Sequence, residues 1–260
     1  MRKKLALIGV AFAFSFACGR TIDSTDLRTS GVSAEMSAVA EGNGQTTVTA
    51  DLRQGSGSST HLDLKGSDEL VAIAATGQSL KMTKVKPSDI ANYYVYRAIL
   101  SVEAGVIVVA FNRGPDDKSA PNSQASLPEA IILSGVVPGQ TVSRARGLTL
   151  TWAPVPGGST MRWTRSGCLT GSGTIPDSGS LTFDAASLAA PILDDPPWIP
   201  PGLDAATVDG GAARPDGGVA SCAAQICLER SGSGLVDPGF GAGGSFVTTQ
   251  RRCVAFTLLR

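Results

Sequence analysis

The feature that most constrains this chain is an apolar–polar alternation with a period of two. It recurs in short segments and never gives way to an apolar stripe of period 3.6. In Thr47-Val48-Thr49-Ala50-Asp51-Leu52, the side chains of Val48, Ala50 and Leu52 share one face, as a half-buried strand requires. The same grammar predicts a first strand near 31–40 and further strands over 69–76, 80–85, 93–101 and 105–112. Val106, Ile107, Val108, Val109 and Phe111 make the last of these apolar on both faces, which suits a central position in a sheet. The polar run from Arg113 to Ser123 then marks the end of a domain, with the boundary between about residues 122 and 130. Strand signals resume over 130–133, 148–152, 160–164, 180–183, 225–231 and 245–259. Punctuated by many of the 31 Gly and 15 Pro, this pattern predicts an all-β chain of two tandem Ig-like β-sandwiches, 31–126 and 127–260. Segment 191–220 breaks the pattern. It holds Asp194, Asp195, Asp204, Asp209 and Asp216 among six Pro and five Gly, a composition expected to remain a disordered surface insertion.

The N-terminus constrains location. Met1-Arg2-Lys3-Lys4 precedes an uncharged stretch from Leu5 to Ala17, the layout of a secretory signal over residues 1–17. Ser15-Phe16-Ala17 fits ordinary small-x-small cleavage. Ala17-Cys18-Gly19 resembles the lipobox of bacterial lipoproteins, with Ser15 standing where Leu is usual. The cysteine count favours the lipid route. Of five cysteines, lipidation of Cys18 leaves Cys168, Cys222, Cys227 and Cys253, an even set for an oxidising compartment. Residues 18–30 then read as a lipidated tether. Cleavage removes Arg2, Lys3 and Lys4 from 22 basic residues, leaving 19 against 22 acidic, a net of −3. Membrane attachment therefore rests on the lipid alone, and no basic surface speaks for nucleic acid.

The pairing of the four remaining cysteines follows from strand register. Segments 225–231 and 245–259 are joined by a Gly-rich connection suited to a hairpin. Setting Cys227 opposite Cys253 also sets Glu229 opposite Arg251 and Ile226 opposite Val254. Ile226, Leu228, Val254, Phe256 and Leu258 then take the core face, and Arg252 falls on that face too, where it must reach past the core edge. Cys168–Cys222 follows by elimination; a Cys222–Cys227 link is the pairing that would overturn both assignments.

Chemistry is sparse. One histidine, His61, lies two residues from Asp63, and reads as a surface strand residue rather than a catalytic base. The patterns G-x-S-x-G, H-E-x-x-H and the P-loop are absent. Ser79 near Lys81 is a spacing too common to define a Ser–Lys hydrolase. The aspartates of 191–220 lack the D-x-D-x-D-G spacing of a calcium loop, and no metal or cofactor site is expected. Trp198, set between prolines, is the one candidate binding residue; the competing reading is a clasp that pins its loop to the domain.

Several local sequences carry a resemblance. Asp26-Leu27-Arg28-Thr29-Ser30-Gly31, Thr46-Thr47-Val48-Thr49-Ala50, Asn112-Arg113-Gly114, Ser119-Ala120-Pro121-Asn122-Ser123 and Leu148-Thr149-Leu150-Thr151-Trp152 resemble uncharacterised envelope lipoproteins of myxobacteria and related bacteria. So do Val236-Asp237-Pro238-Gly239-Phe240-Gly241 and Gln250-Arg251-Arg252-Cys253-Val254. The resemblance implies secretion and a two-sandwich architecture, and no catalytic residue. The expected function is that of a non-catalytic protein, lipid-anchored to the cell envelope at the outer membrane. Its role would be adhesion, spacing, or binding an envelope protein or glycan. The alternatives are a secreted hydrolase with an unrecognised site, or a structural component of an outer-envelope complex.

Overall fold

The structure, a computed structural model, describes residues 20–115, 117–155, 160–188 and 221–259. The signal segment 1–17, Cys18, and segment 191–220 with Trp198 lie outside the described residues. In chain order the first half supplies β1 (Arg20–Asp23), β2 (Val32–Ala40), β3 (Thr46–Gln54), β4 (Thr60–Asp63), β5 (Glu69–Ala74), β6 (Ser79–Lys81), β7 (Thr83–Val85), β8 (Val95–Leu100), β9 (Val106–Asn112) and β10 (Ala120–Ser126). The second half supplies β11 (Thr141–Ser143), β12 (Leu148–Thr151), β13 (Thr160–Gly167), β14 (Gly171–Pro176), β15 (Ser180–Phe183), β16 (Ser221–Ser233) and β17 (Ser245–Leu259). Among the described residues there is no α-helix, only three short 3-10 turns. The chain is all-β, built as two sandwiches.

One 11-stranded sheet forms a common layer, in the order β1-β4-β3-β2-β17-β16-β13-β14, with β8, β7 and β11 attached beside it. A four-stranded sheet, β10-β9-β5-β6, covers one end, and a two-stranded sheet, β12-β15, lies at the other. The first core forms because alternation turns one face of each layer inward. Val32, Ala34, Met36, Val48, Ala50 and Leu52 face Leu70, Ala72, Ile107, Val109 and Phe111. β9 is central in its sheet, as its two apolar faces require. The second core sets Met161, Ile226, Leu228, Val254 and Phe256 against Leu148, Leu150, Trp152 and Phe183.

The C-terminal hairpin serves both cores. The first part of β17, Ser245–Gln250, pairs in parallel with β2, while β16 runs antiparallel to Val247–Leu259 of β17 and pairs with β13 on its other edge. Along the inward face of β17, Phe246 enters the first core and Val254, Phe256 and Leu258 enter the second. Between them that face is polar. The buried Thr248 hydroxyl donates to the Ser126 carbonyl at 2.7 Å, and the Gln250 amide donates to the Glu103 carbonyl. Arg252 leans out to Glu103 at 3.3 Å and lies over Gly42. A side chain at Gly42 would collide with this guanidinium and would also be strained, because φ there is +84°.

Four local expectations change. Residues 20–30 are not a free tether: β1 pairs in parallel with β4, and Ser24 and Thr29 are buried. Segment 80–85 is two strands. At Met82, whose buried side chain fills the first core, the chain leaves β5 and crosses to β8 in the other layer. Residues 130–133 form no strand; Pro128, Gly135 and Pro138 flank them closely, although Ile131 is buried. The polar run 113–123 ends inside edge strand β10, where a register shift beside Pro121 admits the proline.

Candidate functional site

Three places bring chemistry-bearing residues together. The first is the end of the first sandwich where the described chain begins. Arg20–Asp23 sits beside Thr60–Asp63 with Thr21 opposite His61. His61 is buried rather than on the surface, and its partner is not Asp63. Its Nδ1 lies 2.7 Å from Asp51 Oδ1, while Asp51 Oδ2 accepts from Arg53 Nη2 at 2.7 Å. Antiparallel pairing of Arg53 with His61 brings this set together, a long-range effect that spacing along the chain does not reveal. Asp63 is taken by Lys84 at 2.6 Å and Lys65 at 2.9 Å; burial pushes its pKa up, but the two lysines outweigh that and hold the carboxyl below its ordinary value. Tyr93 stacks on the imidazole with ring centroids 3.7 Å apart. The arrangement ties β4 to β3 and to the loop 86–94.

Next to it, Arg113 clamps the segment from Ser24 to Thr29. Its guanidinium donates to the carbonyls of Ser24 and Leu27, each at 2.7 Å, and pairs with Asp68 at 3.1 Å and with Asp117. Asp117 Oδ2 also accepts the Thr29 backbone N–H at 2.9 Å. Every donor of this buried arginine is spent on structure. The sequence Asn112-Arg113-Gly114 stood out only through resemblance; its role here is to close residues 24–29 onto the sandwich.

The second place is a cleft of about 540 Å³ where the two layers part, lined by Leu64, Lys65, Met82, Lys81, Lys84 and Tyr96. The Tyr96 hydroxyl accepts from Leu64 N–H at 2.8 Å, and burial pushes its pKa up to about 12. Each ammonium group already faces a carboxylate. Lys81 Nζ is 3.1 Å from Glu69 with its side chain 70% exposed. That is a surface ion pair, not a desolvated base beside Ser79, so no Ser–Lys dyad is assembled.

The third is the second sandwich. Both bridges are present: Cys168 joins Cys222 across 54 residues, and Cys227 joins Cys253 across 26. The hairpin register sets Cys227 opposite Cys253, Glu229 opposite Arg251 and Leu228 opposite Arg252. Two disulfides suit an oxidising location, extracellular or in the envelope. Below them Arg230, on the core face of β16, pairs with the fully buried Asp177 at 2.7 Å, and Trp152 Nε1 donates to the same carboxylate at 2.7 Å. Burial pushes Asp177 up, yet bonds from Arg230, Trp152 and the Val155 N–H hold its pKa below the ordinary value. Trp163 is half-buried, edge-on to Phe183 at 5.3 Å. Among the described residues no group of three or more His, Cys, Asp or Glu gathers as metal ligands. No helix among them is long and apolar enough to cross a membrane.

No protein-family model and no curated protein matches this chain. Among solved structures, the chain is similar to DIP-gamma IG1+IG2, at 7% identity over 88% of this chain and 98% of that one, with a TM-score of 0.24. It is also similar to the chicken CNTN1 FN1-FN3 domains, at 10% identity over 87% of this chain and 64% of that one, with a TM-score of 0.21. At these scores the likenesses add nothing to the all-β fold already described.

Proposed function

We propose that this is an exported, lipid-anchored protein of the cell envelope, acylated on Cys18 and resident at the outer membrane. It works without catalysis in adhesion, spacing, or binding of an envelope protein or glycan, and belongs with the envelope lipoproteins it resembles. The observation that carries the reading is the cysteine pairing. The four cysteines beyond residue 18 are consumed in two mutual bridges, so Cys18 has no disulfide role within the chain. In support, the three lysines that line the cleft between the layers, Lys65, Lys81 and Lys84, each face a carboxylate. What remains to offer a partner is loop ends and sheet edges.

The test is fractionation joined to assay. Expressed with its own signal in a lipoprotein-processing bacterium, the wild-type chain should sediment with membranes, and Cys18→Ser should appear in the soluble fraction. The purified protein should turn over none of a panel of ester, peptide and glycoside substrates. A wild-type chain in the soluble fraction contradicts the anchor. Turnover abolished by one cleft substitution, with the fold intact, contradicts the non-catalytic role.

A further inference from the structure

We infer that the loop 86–94, tipped by Ile90, is a membrane-contacting foot that seats the first sandwich directly on the bilayer holding Cys18. The inference rests on the lipid-anchor reading above. Three observations carry it. The first is reach. Arg20 already lies in a hydrogen-bonded strand, and from Cys18 to Arg20 the backbone spans at most about 7 Å. An acylated Cys18 therefore holds the end of β1 at the headgroup layer, with no slack for the domain to stand off.

The second is placement. The loop joins β7 to β8 and is fixed beside the start of β1 through Tyr93, which stacks on His61; His61 in turn lies opposite Thr21. The third is chemistry. Ile90 is 91% exposed, more than any other large apolar side chain among the described residues. Beside it Ala91 is buried and its N–H closes a turn on the Ser88 carbonyl, so the tip is held out by its own backbone. Tyr94 stands at the loop's end with Lys84 Nζ 3.9 Å and Lys86 Nζ 5.9 Å from its ring. An apolar tip backed by tyrosine and lysine is the order of chemistry met on passing from acyl chains to headgroups. With Lys86 and Asp89 both in the loop, its hold on the bilayer comes from the apolar side chain rather than from anionic lipid.

The experiment places a tryptophan at the tip. Ile90→Trp and, as a control on the second sandwich, Ile132→Trp (Ile132 is 75% exposed) are made in the mature chain from Cys18 onward. Each is held on vesicles of phosphatidylcholine with bromine on the acyl chains, by native acylation or by coupling the Cys18 thiol to a maleimide lipid. The emission that Ile90→Trp adds to that of Trp152, Trp163 and Trp198, read as the difference from wild type, should fall at least twofold relative to unbrominated vesicles, equally with or without phosphatidylglycerol, and the emission added by Ile132→Trp should not change. Slowed amide exchange over 86–94 on vesicles, absent in detergent-free solution, gives the same answer without substitution. Unquenched Ile90→Trp together with unchanged exchange on tethered protein overturns the foot. Exchange slowed equally in solution would mean that a second copy, not lipid, covers the loop, and overturns it as well. Because the maleimide arm needs no cellular acylation, a failure of the foot is separable from a failure of the lipid-anchor reading.

Discussion

Two arginines do most to define the molecule at the scale of single residues. Arg113 and Arg230 have side chains only 3% exposed, and each is matched to a buried aspartate. Removing one partner of such a pair leaves the other charge without compensation. Arg230→Ala should therefore lower the unfolding free energy by about 3–5 kcal/mol, measured by urea denaturation. Arg113→Ala should cost a similar amount, and should also speed amide exchange in β1, because the clamp on Ser24 and Leu27 is lost. Asp117 and Asp177 supply a pH signature. Burial raises both, but the hydrogen bonds of the folded state prevail and hold both pKa values low. A carboxylate depressed by folding stabilises fully above its unfolded value, about 3.9, and loses that contribution as pH falls through its folded value. Unfolding free energy measured against pH should thus hold down to about pH 5 and fall steeply below about pH 4. Arg230→Ala, lacking one source of the depression, should fall less steeply. A steeper acid limb in that variant would contradict the assignment.

The C-terminal hairpin shows what an element can tell from sequence alone. Its register was legible because cysteine pairing, the Glu229–Arg251 charge pair and the apolar alternation all require the same alignment, and Arg251 Nε does lie 2.9 Å from Glu229. The position of Arg252 on the core face was legible too, but not its reason: it stands at the polar joint where one core ends and the other begins. Short strands β1 and β11 left no signal, since three or four residues in parallel pairing carry too little alternation, and edge strand β14 has two glycines among its six residues. His61 was misplaced for a related reason. Its burial depends on Asp51 and Tyr93, brought in from 10 and 32 positions away in the chain, and Ile90 in turn looks like any isolated apolar loop residue. The two bridges also belong to this scale. Cys227→Ser/Cys253→Ser should cost about 3–4 kcal/mol, and Cys168→Ser/Cys222→Ser slightly more because it closes the longer loop. Thermal or denaturant midpoints of the two double variants decide this; equal stability to wild type would contradict it.

In the whole molecule, one layer and one hairpin join two cores, so the sandwiches should unfold together. Phe246→Ala in the first core and Phe256→Ala in the second should each remove about 3–5 kcal/mol. Both should shift the same single transition, whether followed by tryptophan fluorescence, to which Trp152 and Trp163 at the second core contribute, or by far-ultraviolet dichroism. Two separated transitions would show that the polar joint of Thr248, Gln250 and Arg252 uncouples the cores. Two cores joined in this way suit the proposed task of holding a surface at a defined place on a membrane. The claim beneath that picture is tested most directly by the intact mass of the protein extracted from the bacterial envelope, unreduced and treated with a thiol-alkylating reagent. The account predicts a chain beginning at Cys18, carrying the added mass of acyl groups and no alkylation, since all four remaining cysteines are bridged. A chain without acyl mass, or one that begins elsewhere and takes up the reagent, would contradict it.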